Sequence, residues 1–264
     1  ETVVCWDFKQ EWFEQARRLR YLVTPAAGLD YMNIDPPEGV MLVNSAFHGN
    51  IIAETVVGMM IDHCRRICES SARMVKEAWP RYSIAGSQRR FAGSRLTILG
   101  FGNIGSQISR LSKAFCCGIT GIRRTPIGRP PCFGPGDRIL PPEKLRDVLP
   151  DTDHLVIALP KSRQTDRLVG SVELSLLPDH AAVYNIGRGN ALDESALLRG
   201  LRAGRPAAAY LDVFEQEPLP PDSPLREEPN CHLMPHASAA SPDYLDLFID
   251  EFVEKYRSWH WRLF

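Results

Sequence analysis

Apolar and polar positions along this chain fall into two alternating textures. Short apolar runs stand at residues 3–6, 21–23, 41–43, 96–99, 119–122, 155–159, 181–185, 207–211 and 232–234, and each is expected to be a strand, the first of them buried. Between them lie stretches with apolar residues three and four apart. Residues 11–20 put Trp12, Phe13, Ala16 and Leu19 on one helical face. Residues 103–115 keep the same period, residues 193–204 start on Asp193 as an N-cap, and residues 243–259 form a last amphipathic helix. A longer stretch runs from Ile51 through Val56, Val57, Met59, Met60, Ile61 and Ile67 to Ala78. It is too apolar for a solvated surface helix, so burial on more than one side is expected, between domains or between subunits. Strands alternating with helices at this spacing predict an α/β fold with a parallel sheet covered on both faces. Trp79-Pro80 and the polar residues 86–90 mark a change of segment, and no period repeats along the chain.

Composition narrows the classes rather than choosing among them. The 264 residues carry 31 Lys+Arg against 32 Asp+Glu, a formal net charge of -1. That balance gives no footprint for non-specific nucleic-acid binding. No apolar run reaches the roughly 18 residues of a membrane helix, and no low-complexity tract points to disorder. Residues 1–7 have neither a basic stretch nor a long apolar core, so no signal peptide is expected there. The seven cysteines are odd in number and irregularly spaced. Cys64 and Cys68 form a lone pair without two further ligands, so no metal site is expected. Reduced thiols in a cytoplasmic protein are the expected state.

Gly100-Phe101-Gly102-Asn103-Ile104-Gly105 sits between an apolar run and a helical pattern. In that context it reads as a dinucleotide fingerprint. The first Gly serves a tight turn, the second lets backbone approach a pyrophosphate, and the third lets helix pack on strand. The helix N-terminus, with Asn103 and Ile104, then faces the phosphates with a positive dipole end. Arg123 stands 18 residues beyond Gly105, and Arg124 and Thr125 follow it. An acidic residue there would accept the ribose 2′-OH of NAD, whereas two arginines pair with a 2′-phosphate. NADP(H) is the expected preference, with NAD(H) allowed.

Four later blocks follow in order: Leu159-Pro160-Lys161-Ser162-Arg163-Gln164-Thr165, Asn185-Ile186-Gly187-Arg188-Gly189, Leu211 to Pro218, and Pro235-His236-Ala237-Ser238. Behind the glycine-rich turn they resemble the D-isomer-specific 2-hydroxyacid dehydrogenases, most of all the glyoxylate/hydroxypyruvate reductase branch. The resemblance implies a catalytic set of Arg188, Glu217 and His236. It implies cofactor contacts at Leu159, Pro160, Thr165, Ile186 and Gly187, with Asp212 holding the nicotinamide carboxamide. Ala27-Gly28 resembles the turn whose backbone N–H groups bind the substrate carboxylate, although Ala26 and Ala27 precede the Gly here. The chemistry agrees: a histidine suits proton transfer, a buried carboxylate at Glu217 would orient it, and a guanidinium binds carboxylate and carbonyl oxygens in one plane. His48 lies in a loop that the resemblance puts near the site mouth and is a weaker candidate for substrate contact. His63, His154, His180, His232 and His260 show no partner pattern and read as structural or solvated.

The implied architecture is a Rossmann dinucleotide-binding domain, residues 79–240, inserted into a smaller flavodoxin-like substrate domain of residues 1–78 and 241–264, with the active site in the cleft between them. Against the resemblance the smaller domain looks N-terminally truncated by a βα stretch. The long helix would be the inter-domain and dimer helix, giving a homodimer. The expected function is NADPH-dependent reduction of a small 2-keto acid to the D-2-hydroxy acid. The alternative is a dinucleotide-sensing, corepressor-like regulator on the same fold.

Overall fold

The computed structural model describes residues 1–260. Residues 261–264 of the expected substrate segment, and the side chain of His260, lie outside the described residues. The chain forms two compact units, one of Glu1–Ile51 with Ala240–Phe264 and one of Ile52–Ala239.

The smaller unit holds three parallel strands, β1 (Thr2–Val4), β2 (Tyr21–Val23) and β3 (Met41–Val43), in the order β1-β2-β3. Phe8, Leu19 and Leu22 are its buried cluster, with Phe13 and Ala16 packed against them. The helix expected over 11–20 is only a 3-10 turn, Gln10–Glu14. So small a core needs little more than one turn to bring Leu19 onto the sheet.

Helix α1 (His48–Arg65) crosses the boundary at 51/52, and α2 (Ile67–Lys76) follows. One continuous helix does not form because Arg66 adopts a left-handed φ of 54°. Asp62 accepts the Cys68 N–H at 2.8 Å and so satisfies a first-turn donor of α2. Ile52, Ala53, Val56, Val57, Met59, Met60 and Cys64 of α1 are buried in the core of the larger unit. That burial is why the compact unit begins at Ile52, earlier than the expected boundary at 79. By contrast, α2 contains no buried residue.

The larger unit continues through α3 (Arg81–Ala85), β4 (Arg95–Leu99), α4 (Asn103–Lys113), β5 (Gly118–Ile122), β6 (Arg138–Leu140), α5 (Leu145–Val148), β7 (His154–Ile157), α6 (Ser171–Leu176), β8 (Ala182–Asn185), α7 (Glu194–Arg202), β9 (Ala208–Leu211) and β10 (Cys231–Leu233). Its seven strands are all parallel, in the order β10-β9-β8-β7-β4-β5-β6. The order reverses between β4 and β7, the switch point of a Rossmann sheet. Side chains alternate between two cores: Leu155, Ile157, Val183, Ala209 and Leu211 enter one, and Val156, Ala182, Tyr184, Ala208 and Tyr210 enter the other. Strand β6, three residues long, and helix α6, six residues long, were not expected from the apolar pattern. Helix α8 (Tyr244–His260) returns the chain to the smaller unit.

Candidate active site

The glycine-rich turn joins β4 to α4. Gly100 has φ 96°, and a Cβ there would lie 2.4 Å from the Ala158 carbonyl oxygen. At Gly105 a Cβ would press on Gly100 O and Ile98 at 3.0 Å. Gly102 caps α4, and a Cβ on it would meet no protein atom within 4 Å. Protein packing therefore explains the first and third glycines. The second leaves open space over the helix N-terminus, which fits a pyrophosphate lying against backbone.

Arg123 follows β5 and is half-buried. Its Nη1 donates to Phe101 O at 3.0 Å and its Nε to Thr125 O at 2.8 Å, which ties the guanidinium to the glycine-rich turn. Arg124 and Thr125 are exposed, and Arg124 Nη1 donates to Gln164 Oε1 at 2.8 Å. Gln164 joins this cluster from 40 positions along the chain, and the sequence alone offered no signal for the pairing. Thr165 is turned inward: its hydroxyl donates to Pro160 O at 2.8 Å and accepts from Ser162 N at 2.9 Å. It therefore shapes the loop that carries Leu159 and Pro160.

Arg188 owes its place to its neighbours. A Cβ at Gly187 would lie 2.6 Å from Leu159 backbone atoms, and one at Gly189 only 1.9 Å from the Phe214 carbonyl. Both glycines lie against the loops after β7 and β9, so the arginine between them is fixed from two sides. Asn185, at the end of β8, accepts from Gly187 N at 3.3 Å and donates to Arg188 O at 3.2 Å. Arg188 Nη1 also donates to Gly187 O at 2.9 Å.

His236 follows β10 in a left-handed conformation, φ 53°, at a cost of roughly 1–2 kcal/mol for a non-glycine residue. Asp212, 1 % exposed, holds that turn by accepting Ala237 N at 2.7 Å and Ser238 N at 3.1 Å. Both carboxylate oxygens thus brace the histidine loop, a task not expected of a residue assigned to the cofactor. His236 Nδ1 pairs with Glu217 Oε2 at 2.7 Å, and Glu217 Oε1 accepts Phe214 N at 3.0 Å. The expected burial of Glu217 does not hold, because its side chain is 35 % exposed and that of His236 51 %. Orientation comes from the two hydrogen bonds instead. The pair lines a cavity of about 520 Å³ with Phe214, Leu219, Met234 and Arg226. With Nδ1 engaged, Nε2 is the ring nitrogen left for proton transfer.

In the smaller unit, Ala27 and Gly28 follow β2, and their N–H groups find no acceptor among the described residues. The Ala27 carbonyl instead accepts Asn44 Nδ2 at 2.5 Å. His48 is 4 % exposed, with Nε2 on the Tyr244 hydroxyl at 2.8 Å. It is packed inside this unit, against Phe47 and Tyr244. No group of three or more potential metal ligands occurs among the described residues, and no described helix is long and apolar enough to cross a membrane.

A sequence model of the D-isomer specific 2-hydroxyacid dehydrogenase NAD binding domain matches residues 57–238. The chain belongs to the D-isomer-specific 2-hydroxyacid dehydrogenase family. Glyoxylate reductase from Aeropyrum pernix is 33 % identical over 240 residues, covering 86 % of this chain and 69 % of that protein. D-3-phosphoglycerate dehydrogenase from Methanocaldococcus jannaschii is 28 % identical over 233 residues, covering 87 % of this chain and 43 % of that protein. Among solved structures, the NADPH-dependent glyoxylate/hydroxypyruvate reductase from Sinorhizobium meliloti, in complex with NADP and sulfate, superposes with a TM-score of 0.81 at 26 % identity, covering 98 % of this chain and 81 % of that one. The larger unit is thus the NAD-binding Rossmann domain of this family of oxidoreductases.

Proposed function

We propose that the chain reduces a small 2-keto acid of the glyoxylate or hydroxypyruvate kind to the D-2-hydroxy acid, with NADPH as the preferred cofactor. The observation that carries this reading is the 2.7 Å pairing of His236 with Glu217 on a loop strained into the left-handed region and braced by Asp212. Strain of this kind at a strand's carboxyl end is worth its cost where a side chain must be aimed. The bound cofactor supplies the hydride. Arg188 binds the substrate carboxylate and polarises the carbonyl. His236 gives the carbonyl oxygen a proton from Nε2, and Glu217 holds the ring at Nδ1. Ala27 and Gly28 donate their N–H groups to the carboxylate. Arg123 and Arg124 pair with the 2′-phosphate, which favours NADPH over NADH.

A panel of 2-keto acids, read by loss of NADPH absorbance, tests the assignment. Oxidation of NADPH by none of them would refute it and leave the dinucleotide-sensing alternative. A dissociation constant for NADPH no lower than for NADH would refute the cofactor preference. Helix α2 buries no residue, yet exposes Ile67, Met74 and Val75, followed by Trp79 and Tyr82. That unburied apolar face supports a homodimer, and a monomer by light scattering at micromolar concentration would overturn it.

A further inference from the structure

The loop after β2 has its carbonyls accounted for one by one. Thr24 O accepts the Ser45 hydroxyl at 3.1 Å, Ala26 O accepts Ser45 N at 3.0 Å, and Ala27 O accepts Asn44 Nδ2 at 2.5 Å. Those three donors come from the residues just after β3. Pro25 O alone is held from elsewhere, by the Tyr244 hydroxyl of α8 at 3.2 Å. In a trans peptide the carbonyl of one residue and the N–H of the next point opposite ways, so holding Ala26 O and Ala27 O turns the N–H groups of Ala27 and Gly28 away from the loop after β3. Pro25 O, held by Tyr244, fixes the plane before them, whose Ala26 N–H donates to Thr24 Oγ1 at 3.2 Å. The N–H groups of Ala27 and Gly28, without acceptors among the described residues, are what remains for an anion.

Tyr244 is itself fixed. Its hydroxyl lies 3.2 Å from Pro25 O and 2.8 Å from His48 Nε2; donation of its one proton to Pro25 O goes with the Nε2–H tautomer of His48, which donates to the phenol oxygen. Phe47 stacks on the His48 ring at 3.9 Å, and Trp6 stacks on Tyr244 at 5.9 Å. Two turns on, Glu251 accepts Phe47 N at 2.8 Å and Ala46 N at 2.9 Å. Lys255 donates to Asn44 O at 2.8 Å. Positions 244, 251 and 255 share one helical face, so α8 grips both the loop after β2 and the loop after β3.

We propose that Tyr244, oriented by His48, is a positioning residue that holds the Pro25–Gly28 loop with its N–H groups ready for the substrate carboxylate. The proposal rests on the reading of Ala27 and Gly28 as carboxylate donors. Because the hydroxyl acts through the loop, its loss weakens binding of the acid without touching hydride or proton transfer.

Tyr244→Phe keeps the ring stacking and removes the hydroxyl. The expected result is a rise of about tenfold in KM for the 2-keto acid, with kcat held within about threefold and NADPH affinity unchanged. Amide hydrogen exchange in residues 24–30 should accelerate while exchange in β1–β3 does not. His48→Phe should behave likewise, and His48→Gln, which keeps an N–H donor, should lose less. Unchanged KM and unchanged loop exchange in Tyr244→Phe would overturn the proposal. Equal acceleration across β1–β3 would also overturn it, by showing a general structural role. Oxalate, added with NADP, should slow exchange at residues 27–28 of the wild type. Failure of that arm overturns the carboxylate reading itself, whereas the loop exchange of Tyr244→Phe tests the brace without any turnover.

Discussion

Two buried histidines at the amino end of the seven-stranded sheet, His63 and His154, contrast with His236 at its carboxyl end. At the amino end, His154 opens β7 and His180 precedes β8, with His63 of α1 beside them. His154 is 1 % exposed, its Nδ1 is 2.9 Å from the Tyr184 hydroxyl, and Tyr184 stacks on Tyr210 at 5.2 Å. Burial pushes the His154 imidazole down to about 3 and that of His63 to about 4, so both are neutral parts of a core. At the carboxyl end, His236 is half-exposed, strained in φ and, among the described residues, tied at one nitrogen only. The contrast shows that histidine content does not locate a site in this fold. Loops at the carboxyl ends of parallel strands do, because helix N-termini and backbone donors converge there.

The sharpest way to break this contrast is at His236. His236→Gln should lower kcat by about a thousandfold, within the range expected for loss of a general acid, and leave NADPH affinity intact. Turnover within tenfold of the wild type would contradict the assignment. Arg188→Lys comes next, with an expected loss of about a hundredfold in kcat/KM shared between a higher KM and a lower kcat, because the planar fork is gone. A rise in KM alone would mean that Arg188 only binds the acid and does not polarise its carbonyl.

Much of the carboxyl end was legible in the sequence because its constraints are local. Gly100, Gly187 and Gly189 are glycines since no Cβ fits against the next loop, and such positions stand out as motifs. The sheet was legible for the same reason, since fully buried parallel strands read as apolar runs. What escaped is non-local. The pairing of Gln164 with Arg124, the brace from Asp212 to Ala237, and the contact of Tyr244 with Pro25 join residues 40, 25 and 219 positions apart. Polar side chains at such separations leave no periodicity. The break at Arg66 was hidden too, because the apolar period runs on across it while Asp62 caps the new helix.

The amino end offers smaller, structural effects that should leave catalysis alone. His154→Leu strands the Tyr184 hydroxyl, which should cost about 2–3 kcal/mol of stability, with kcat unchanged. Adding Tyr184→Phe should recover part of that loss, since removing both partners is cheaper than removing one. The acid limb of stability is the last and finest test. In the unfolded chain these imidazoles take up protons near 6.5, but in the folded chain only near 4 for His63 and 3 for His154. Above pH 6.5 they are neutral in both states and contribute nothing to the slope. As the pH falls from 6.5 toward 4, the unfolded state binds more protons, so stability declines, by up to about 1.4 kcal/mol per pH unit for each histidine. The carboxylates of Asp62 and Asp153 are held below their ordinary range, so their share is lost at lower pH, as they protonate. Urea denaturation between pH 6.5 and 4.5 should therefore give a shallower decline in His154→Leu than in the wild type. Equal slopes would mean that the His154 imidazole is charged inside the fold, and the two ends of the sheet would then differ less than their burial indicates.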